Sequence, residues 1–180
     1  LRFGGLLCLL APALVQAPTG GWTTGFWFWQ GSSAAMGAGM GPVDVLYVQA
    51  GTIRHDDGPS GRWIVWAKWP DEALPPAREY WAVLRAETRT APPLDLAKQV
   101  AGAVAGLTVE RRRNALGLAG VQLDIDCPTG SLAQYAAFLA EFRKGLPAGM
   151  QVSITGLLDW FRSGTAVGEV VEQVDEFVPQ

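Results

Sequence analysis

The sequence predicts an α/β protein with a parallel β-sheet, and two features of the chain support this fold class. Segments with strand periodicity alternate with segments whose apolar residues recur at helical spacing, an order that is typical of parallel sheets. The segment 120–130 (GVQLDIDCPTG) also combines a strand, a turn and the start of a helix, with two carboxylates at the strand's carboxyl end. In parallel α/β proteins, functional residues are concentrated at that end of the sheet.

The strands are predicted from alternating polarity and from their β-branched and aromatic residues. Six of them are expected, at residues 25–30, 43–50, 79–87, 120–127, 150–157 and 175–180, where the last one begins. Two further strands joined by a polar turn are predicted within residues 52–69, as a β-hairpin inserted after the second strand. The segment 31–42 is rich in glycine, so the first crossover is expected to be a loop or a degenerate helix.

Three helices are predicted from apolar residues that share one helical face. The first face comprises Leu96, Val100, Val104 and Leu107. The second comprises Leu132, Tyr135, Leu139 and Phe142, and the last, short one comprises Val167, Val170, Val171 and Val174. Ser131 and Gln134 have the spacing of a capping box, which predicts that Ser131 caps the second helix.

The first 17 residues have the pattern of a secretory signal peptide that lacks its own first residues. Arg2 precedes a short apolar run, and Val15, Gln16 and Ala17 resemble a cleavage site. An apolar run of about 12 residues is too short for a stable membrane span, and no later segment is longer. We therefore expect residues 18–180 to form one partial domain of an exported protein, periplasmic or extracellular, without a transmembrane segment.

The charge pattern and the histidine content indicate which classes of binding partner are not expected. The net charge is −3, and the only basic cluster is 111–113, so no nucleic-acid partner is expected. The single histidine, His55, belongs to the polar turn of the predicted hairpin, where turn chemistry explains it. No metal ion and no cofactor are predicted.

The candidate site is built around two acids of the fourth strand. Alternation places Asp124 and Asp126 on one face and Cys127 on the other, towards the helices. Buried carboxylates must be paired or hydrogen-bonded, so these acids predict either a functional site or an ion-pair network with Arg85. The polar faces of the neighbouring strands add Tyr47, Gln49, Arg85, Glu87, Ser153 and Thr155, and the following loop adds Asp159 and Trp160 as a wall. Tryptophans at strand ends, Trp29 among them, suit stacking against sugar rings.

Residues 120–161, with the segments GFWFWQ and VDVLYVQAG, resemble a bacterial domain family of unknown function, numbered 3142. The resemblance implies a (β/α)8 barrel of the TIM type, related to glycosidases. A closed barrel of this type needs about 250 residues. The chain is therefore expected to be an incomplete barrel of about six strands, a fragment of a longer protein.

A more distant resemblance is to the chitinase-type glycoside hydrolases, whose fourth barrel strand carries the pattern D-G-x-D-x-D-x-E. Gly120, Asp124 and Asp126 occupy the positions of the glycine, the third acid and the final acid, whereas Ala119 and Gln122 replace the first two acids. The resemblance implies that Asp126 is the proton donor, although it is one methylene shorter than the family's glutamate.

Three functions remain open from the sequence. In a glycoside hydrolase, Asp126 donates the proton, and Asp124 orients the substrate's acetamide or Glu87 acts as nucleophile or base. The carbohydrate would be bound by Trp29, Gln49, Arg85, Thr155 and Trp160. The alternatives are a glycan-binding barrel without catalysis and a Mg²⁺-dependent phosphatase of the haloacid-dehalogenase type. The phosphatase would use Asp124, Asp126 and Thr155, but Pro128 stands where that motif has Thr or Val.

Overall fold

The computed structural model describes residues 23–29, 43–56, 61–86, 90–113 and 117–180. The predicted signal peptide, the glycine-rich segment 31–42 and Glu87 lie outside these ranges.

Strands and helices alternate along the described chain. The strands are β1 Gly25–Phe28, β2 Val43–His55, β3 Trp63–Ala67, β4 Ala77–Ala86, β5 Gly120–Ile125, β6 Gln151–Gly156 and β7 Glu176–Pro179. The helices are α1 Leu96–Arg113, α2 Leu132–Lys144 and α3 Val167–Val171. Short 3₁₀ turns at Thr129–Ser131 and Leu158–Phe161 precede α2 and follow β6.

The main sheet is a curled half-barrel of six parallel strands. Its order is β1-β2-β4-β5-β6-β7, and β3 pairs with β2 in the antiparallel direction. In a flat sheet, β2 and β7 would be about 19 Å apart, because four strand spacings separate them. The hydroxyl of Tyr47 on β2 nevertheless lies 2.8 Å from the carboxylate of Glu176 on β7. The predicted parallel α/β architecture with six strands is therefore confirmed.

The hairpin is also confirmed, but its first arm is not a separate strand. β2 continues through Gly51 to His55, and its pairing with β4 shifts register between Gln49 and Gly51. A Cβ atom at Gly51 would lie 2.5 Å from the carbonyl oxygen of Trp66 on β3. Glycine at this position therefore lets β3 approach β2 closely enough to pair with it.

The main hydrophobic core lies between the convex face of the sheet and the helices. The predicted faces of α1 and α2 are buried, and Val100, Leu139 and Phe142 have no exposed surface. On the short α3, Val170 is buried, whereas Val171 is 41% exposed. Cys127 lies in the same core, which confirms its predicted direction. Burial raises the pKa of the Cys127 thiol to about 12, so it stays protonated and is a poor nucleophile.

The predicted capping box is wrong. The side chain of Ser131 makes no capping hydrogen bond, because Ser131 closes the preceding 3₁₀ turn and its N–H donates to the carbonyl of Pro128. The amide of Gln134 instead donates to the carbonyls of Ala91 and Pro92.

No helix in the described ranges has both the length and the apolar character that a membrane span requires.

Candidate functional site

The concave face of the half-barrel collects the inward side chains of neighbouring strands in layers. Gln122 is in register with Ser153, which is in register with Glu176. One layer nearer the carboxyl ends, Arg85 is in register with Asp124. Alternation therefore brings polar side chains of four strands onto one surface.

A hydrogen-bonded network, the concave network, crosses this surface. Trp27 Nε1 donates to Gln122 Oε1 at 2.7 Å, and Gln122 Nε2 donates to Ser153 Oγ at 2.9 Å. Ser153 Oγ and the hydroxyl of Tyr47 both donate to the carboxylate of Glu176, at 2.6 Å and 2.8 Å. Gln122 and Ser153 have no exposed surface, so these bonds satisfy polar groups that would be costly to bury unpaired.

The protonation of Tyr47 follows from its place in this network. Burial, together with the hydrogen bond to Glu176 and the negative charge of Glu176, raises the pKa of Tyr47 well above its usual value of 10. Tyr47 is therefore a neutral donor at physiological pH.

A pocket of about 350 Å³, the mouth pocket, lies at the carboxyl ends of the strands. It is lined by Trp27, Trp29, Asp124, Thr155, Val178, Pro179 and Gln180. The two indoles come from β1 and the residue that follows it, and the polar groups come from β5 and β6. Trp29 is 36% exposed, so its ring is accessible to a ligand.

Asp124 is the carboxylate of the mouth pocket. The Thr155 hydroxyl donates to Asp124 Oδ1 at 2.7 Å, and Arg85 Nε lies 3.9 Å from Asp124 Oδ2. The Arg85 side chain is 55% exposed, and a long ion pair in such a setting contributes little to stability. The predicted pairing of Arg85 with an acid is therefore present, but it is weak.

Asp126 follows the end of β5. The strand ends at Ile125, and the N–H of Cys127 donates to the Ile125 carbonyl at 2.8 Å, which turns the chain. Asp126 is exposed at the carboxyl edge of the sheet and is not part of the mouth pocket's lining.

Trp160 does not form the predicted wall at the mouth. It has no exposed surface, because the 3₁₀ turn after β6 directs it into the core beneath the helices. Its Nε1 donates to the Cys127 carbonyl at 2.9 Å, and its ring meets Tyr135 edge-on at 5.9 Å. Asp159 is engaged by Thr129 at 2.5 Å and by Arg162 at 2.6 Å.

The remaining predicted residues have different positions. Gln49 is partly buried and is in register with Val83, two residues before Arg85 on β4. It does not line the mouth pocket. Glu87 is outside the described residues. Of the predicted set, the structure thus brings together Trp29, Asp124 and Thr155, with Arg85 beside them.

Two residues of the concave face, Trp27 and Glu176, were not predicted from the sequence. Alternation would have identified both, since Trp27 shares the face of Trp29 and Glu176 is two residues before Val178 on β7. The alternating pattern that identifies Trp27 and Glu176 lies in β1 and β7, which are the shortest of the six parallel strands.

No group of three or more His, Cys, Asp or Glu side chains in the described part of the chain is arranged to hold a metal ion.

The sequence model of a family described as "Domain of unknown function (DUF3142)" matches residues 77–180. The match covers β4 to β7 and includes Asp124 and Thr155, whereas Trp27 and Trp29 precede it. No curated protein and no solved structure matches the chain.

Proposed function

The chain belongs to the DUF3142 family, and we propose that it binds carbohydrate in the mouth pocket of its half-barrel. The proposal includes kinship of this half-barrel with the TIM-barrel glycosidases and export of the protein, both of which the sequence suggested. One observation carries it: an exposed indole, Trp29, borders the same pocket as the hydrogen-bonded pair of Asp124 and Thr155.

A sugar ring requires the combination of groups that this pocket offers. Its axial C–H groups form an apolar face that stacks on an indole, and its hydroxyls donate to carboxylates and accept from donors. Trp29 supplies the stacking surface, Asp124 supplies the acceptor, and the exposed guanidinium of Arg85 supplies donors. Val178 and Pro179 provide a second apolar surface.

The second indole of the pocket is held in place before any ligand binds. Trp27 stacks on Tyr47 with ring centroids 5.0 Å apart and planes inclined by 17°, and its N–H is bonded to Gln122. A preorganised wall loses little side-chain entropy on binding. The pocket volume of about 350 Å³ lies at the lower end of the usual range for small-molecule sites, which suits one sugar unit of a larger glycan.

The proposal is tested with a glycan array, followed by calorimetric titration of the best ligand. We expect Trp29→Ala to weaken binding about tenfold, or about 1.4 kcal/mol, because the stacking surface is lost. Trp66→Ala is the matched control, since Trp66 is 49% exposed on β3 and does not line the mouth pocket. Equal affinities of the Trp29→Ala variant and the native protein would contradict the proposal, as would the absence of any glycan ligand.

Glycoside hydrolysis is a second candidate, because Asp126 is exposed at the same edge of the sheet as the mouth pocket. Its side chain is exposed and forms no hydrogen bond or ion pair with a described residue, so it is available to donate a proton to a leaving oxygen. Asp124, two residues earlier, would orient the substrate, and Glu87 would be the nucleophile or base, as the glycosidase resemblance implies.

The phosphatase alternative has less support. A Mg²⁺-dependent phosphatase holds its metal with several carboxylates, and the described residues contain no group of three metal-binding side chains. Thr155, which would contact a phosphate, is engaged with Asp124.

A further inference from the structure

We propose that a second pocket, at the amino ends of the strands, binds an organic ammonium cation. This basal pocket has a volume of about 410 Å³ and is lined by Tyr47, Trp81, Glu79 and Glu176, among others. It lies on the concave face, at the end opposite the mouth pocket. The proposal does not depend on the carbohydrate proposal.

The aromatic side chains of the basal pocket form a fixed wall. The rings of Tyr47 and Trp81 lie 5.7 Å apart and are inclined by 47°, and Trp27 supports Tyr47 from its other side. The ring of Trp81 lies directly over Gly120, where a Cβ atom would come within 2.6 Å of it. Tyr47 and Trp81 are each 5% exposed, so the wall is rigid and only a small part of each ring borders the pocket. Aromatic faces attract cations through their quadrupole, most effectively when the contact is desolvated.

Two carboxylates of the basal pocket add negative charge to this wall. Trp81 Nε1 donates to Glu79 at 3.3 Å, and Tyr47 and Ser153 donate to Glu176. These donors are neutral, so they orient the carboxylates without cancelling their charge. Within the described ranges, neither glutamate forms an ion pair with a lysine or an arginine.

Arg78 is the one cationic side chain among the described residues that line the basal pocket, and it is paired with another acid. Arg78 Nη1 lies 3.0 Å from Asp44 Oδ1, and the Arg78 side chain is 81% exposed. Thr24 donates to Asp44 through its N–H and its hydroxyl, which fixes that carboxylate beside the arginine. Arg78 therefore pairs with Asp44. The carboxylates of Glu79 and Glu176 are then available to a cationic ligand.

Glu79 and Glu176 both raise the pKa of Tyr47. Burial raises its pKa most, followed by the hydrogen bond and the charge of Glu176 and then by the charge of Glu79. The negative charges of Glu176 and Glu79 therefore both act on Tyr47, and a bound cation would counter them.

The lining favours an alkylated ammonium group over a metal ion. A metal ion needs several oxygen ligands around it, whereas this pocket offers aromatic faces on one side and carboxylates on the other. The described residues contain no group of three acidic, histidine or cysteine side chains that could hold a metal. An alkylammonium group carries a diffuse charge with an apolar surface, which aromatic faces and nearby carboxylates recognise together.

The test is calorimetric titration of the full chain with choline, compared with its neutral isostere in which carbon replaces the nitrogen. We expect saturable choline binding and at least about tenfold weaker binding of the neutral isostere, because size and shape are equal and only the charge differs. We expect Glu79→Gln and Trp81→Leu each to weaken choline binding about tenfold. Glu169→Gln on α3 and Trp66→Leu on β3 are the matched controls, since neither residue lines the basal pocket.

The Glu79→Gln variant decides the test if Trp81→Leu does not fold, because Glu79 is exposed and its replacement preserves the side-chain shape. The proposal is overturned if choline shows no saturable binding, if the neutral isostere binds equally well, or if Glu79→Gln binds choline as the native protein does.

Discussion

Asp124 and Asp126 are two residues apart in sequence, but their environments differ. Asp124 lies within β5, its side chain is 16% exposed, and it accepts a hydrogen bond from Thr155. Asp126 follows the end of the strand and is exposed. A side chain within a strand meets its cross-strand neighbours, whereas one beyond the strand meets solvent. Under the proposed functions, Asp124 would position a ligand and Asp126 would transfer a proton.

At the residue scale, we predict that Asp126→Asn leaves the fold intact and abolishes any glycan hydrolysis. The free energy of unfolding should change by less than about 0.5 kcal/mol, because the side chain is exposed and forms no hydrogen bond or ion pair with a described residue. Urea unfolding measures the first effect. Release of reducing ends from a bound glycan measures the second, with glycan affinity as the control. A variant with full turnover would remove Asp126 as proton donor.

At the scale of elements, Asp175 connects α2, β6 and β7. Arg143, in the last turn of α2, donates to Asp175 Oδ1 at 2.7 Å, and the N–H of Val152 on β6 donates to Asp175 Oδ2 at 2.8 Å. Glu176 follows directly, as the first residue of β7. The contacts of Asp175 therefore help to place Glu176 in both the concave network and the basal pocket.

We predict that Asp175→Asn destabilises the protein at neutral pH and much less in acid. The hydrogen bond from Arg143 is the main cause that lowers the pKa of Asp175 below its usual 3.8, against an opposing effect of burial. A carboxyl group with a lowered folded-state pKa stabilises the fold above its unfolded-state pKa, and this contribution is lost as the pH falls through the folded-state value. Because both side chains are partly exposed, we expect a loss of only about 1 kcal/mol at neutral pH.

Urea unfolding of the native protein and of Asp175→Asn at about pH 7 and about pH 2.5 measures this difference. Glu169→Gln, an exposed substitution on α3, is the control for a neutralised acid. An equal loss of stability at both pH values would show that the charge of Asp175 is not responsible.

At the scale of the whole molecule, contacts across the concave face are associated with the curl of the sheet. Tyr47 and Glu176 join β2 to β7, and Trp27 and Gln122 join β1 to β5. Backbone pairing connects only adjacent strands, whereas these side chains connect strands that are three or four positions apart in the sheet. Both pockets lie on the surface that this curl makes concave.

We predict that Tyr47 and Glu176 are coupled in a double-mutant cycle. Tyr47→Phe and Glu176→Gln should show a coupling energy of at least about 1 kcal/mol in urea unfolding, because the hydrogen bond has a charged acceptor and is partly buried. The exposed pair of Glu141 and Lys144, substituted by Gln and Met, is the control and should show a clearly smaller coupling. Additive effects of the two concave substitutions would mean that this contact does not stabilise the curl.

Predictions from periodicity were correct where the feature depends on local burial. Cys127 faces the helices and Asp124 faces inward, because alternation separates the two faces of a strand. Asp126, between the buried Ile125 and Cys127, is exposed, but the strand ends before it and it does not line the mouth pocket. Trp160 was placed wrongly because its indole packs against Tyr135 on α2, a contact between distant segments of the chain.

The sequence by itself determined the order of strands and helices, the six parallel strands and the inward direction of Asp124 and Thr155. These features follow from polarity repeats along short segments, which the side chains of each segment specify locally. Only the tertiary structure decided that Tyr47 meets Glu176 and that Trp29 borders the same pocket as Asp124. The distance between strands that are not neighbours depends on the curvature of the whole sheet, which arises from the twist and packing of all its strands together.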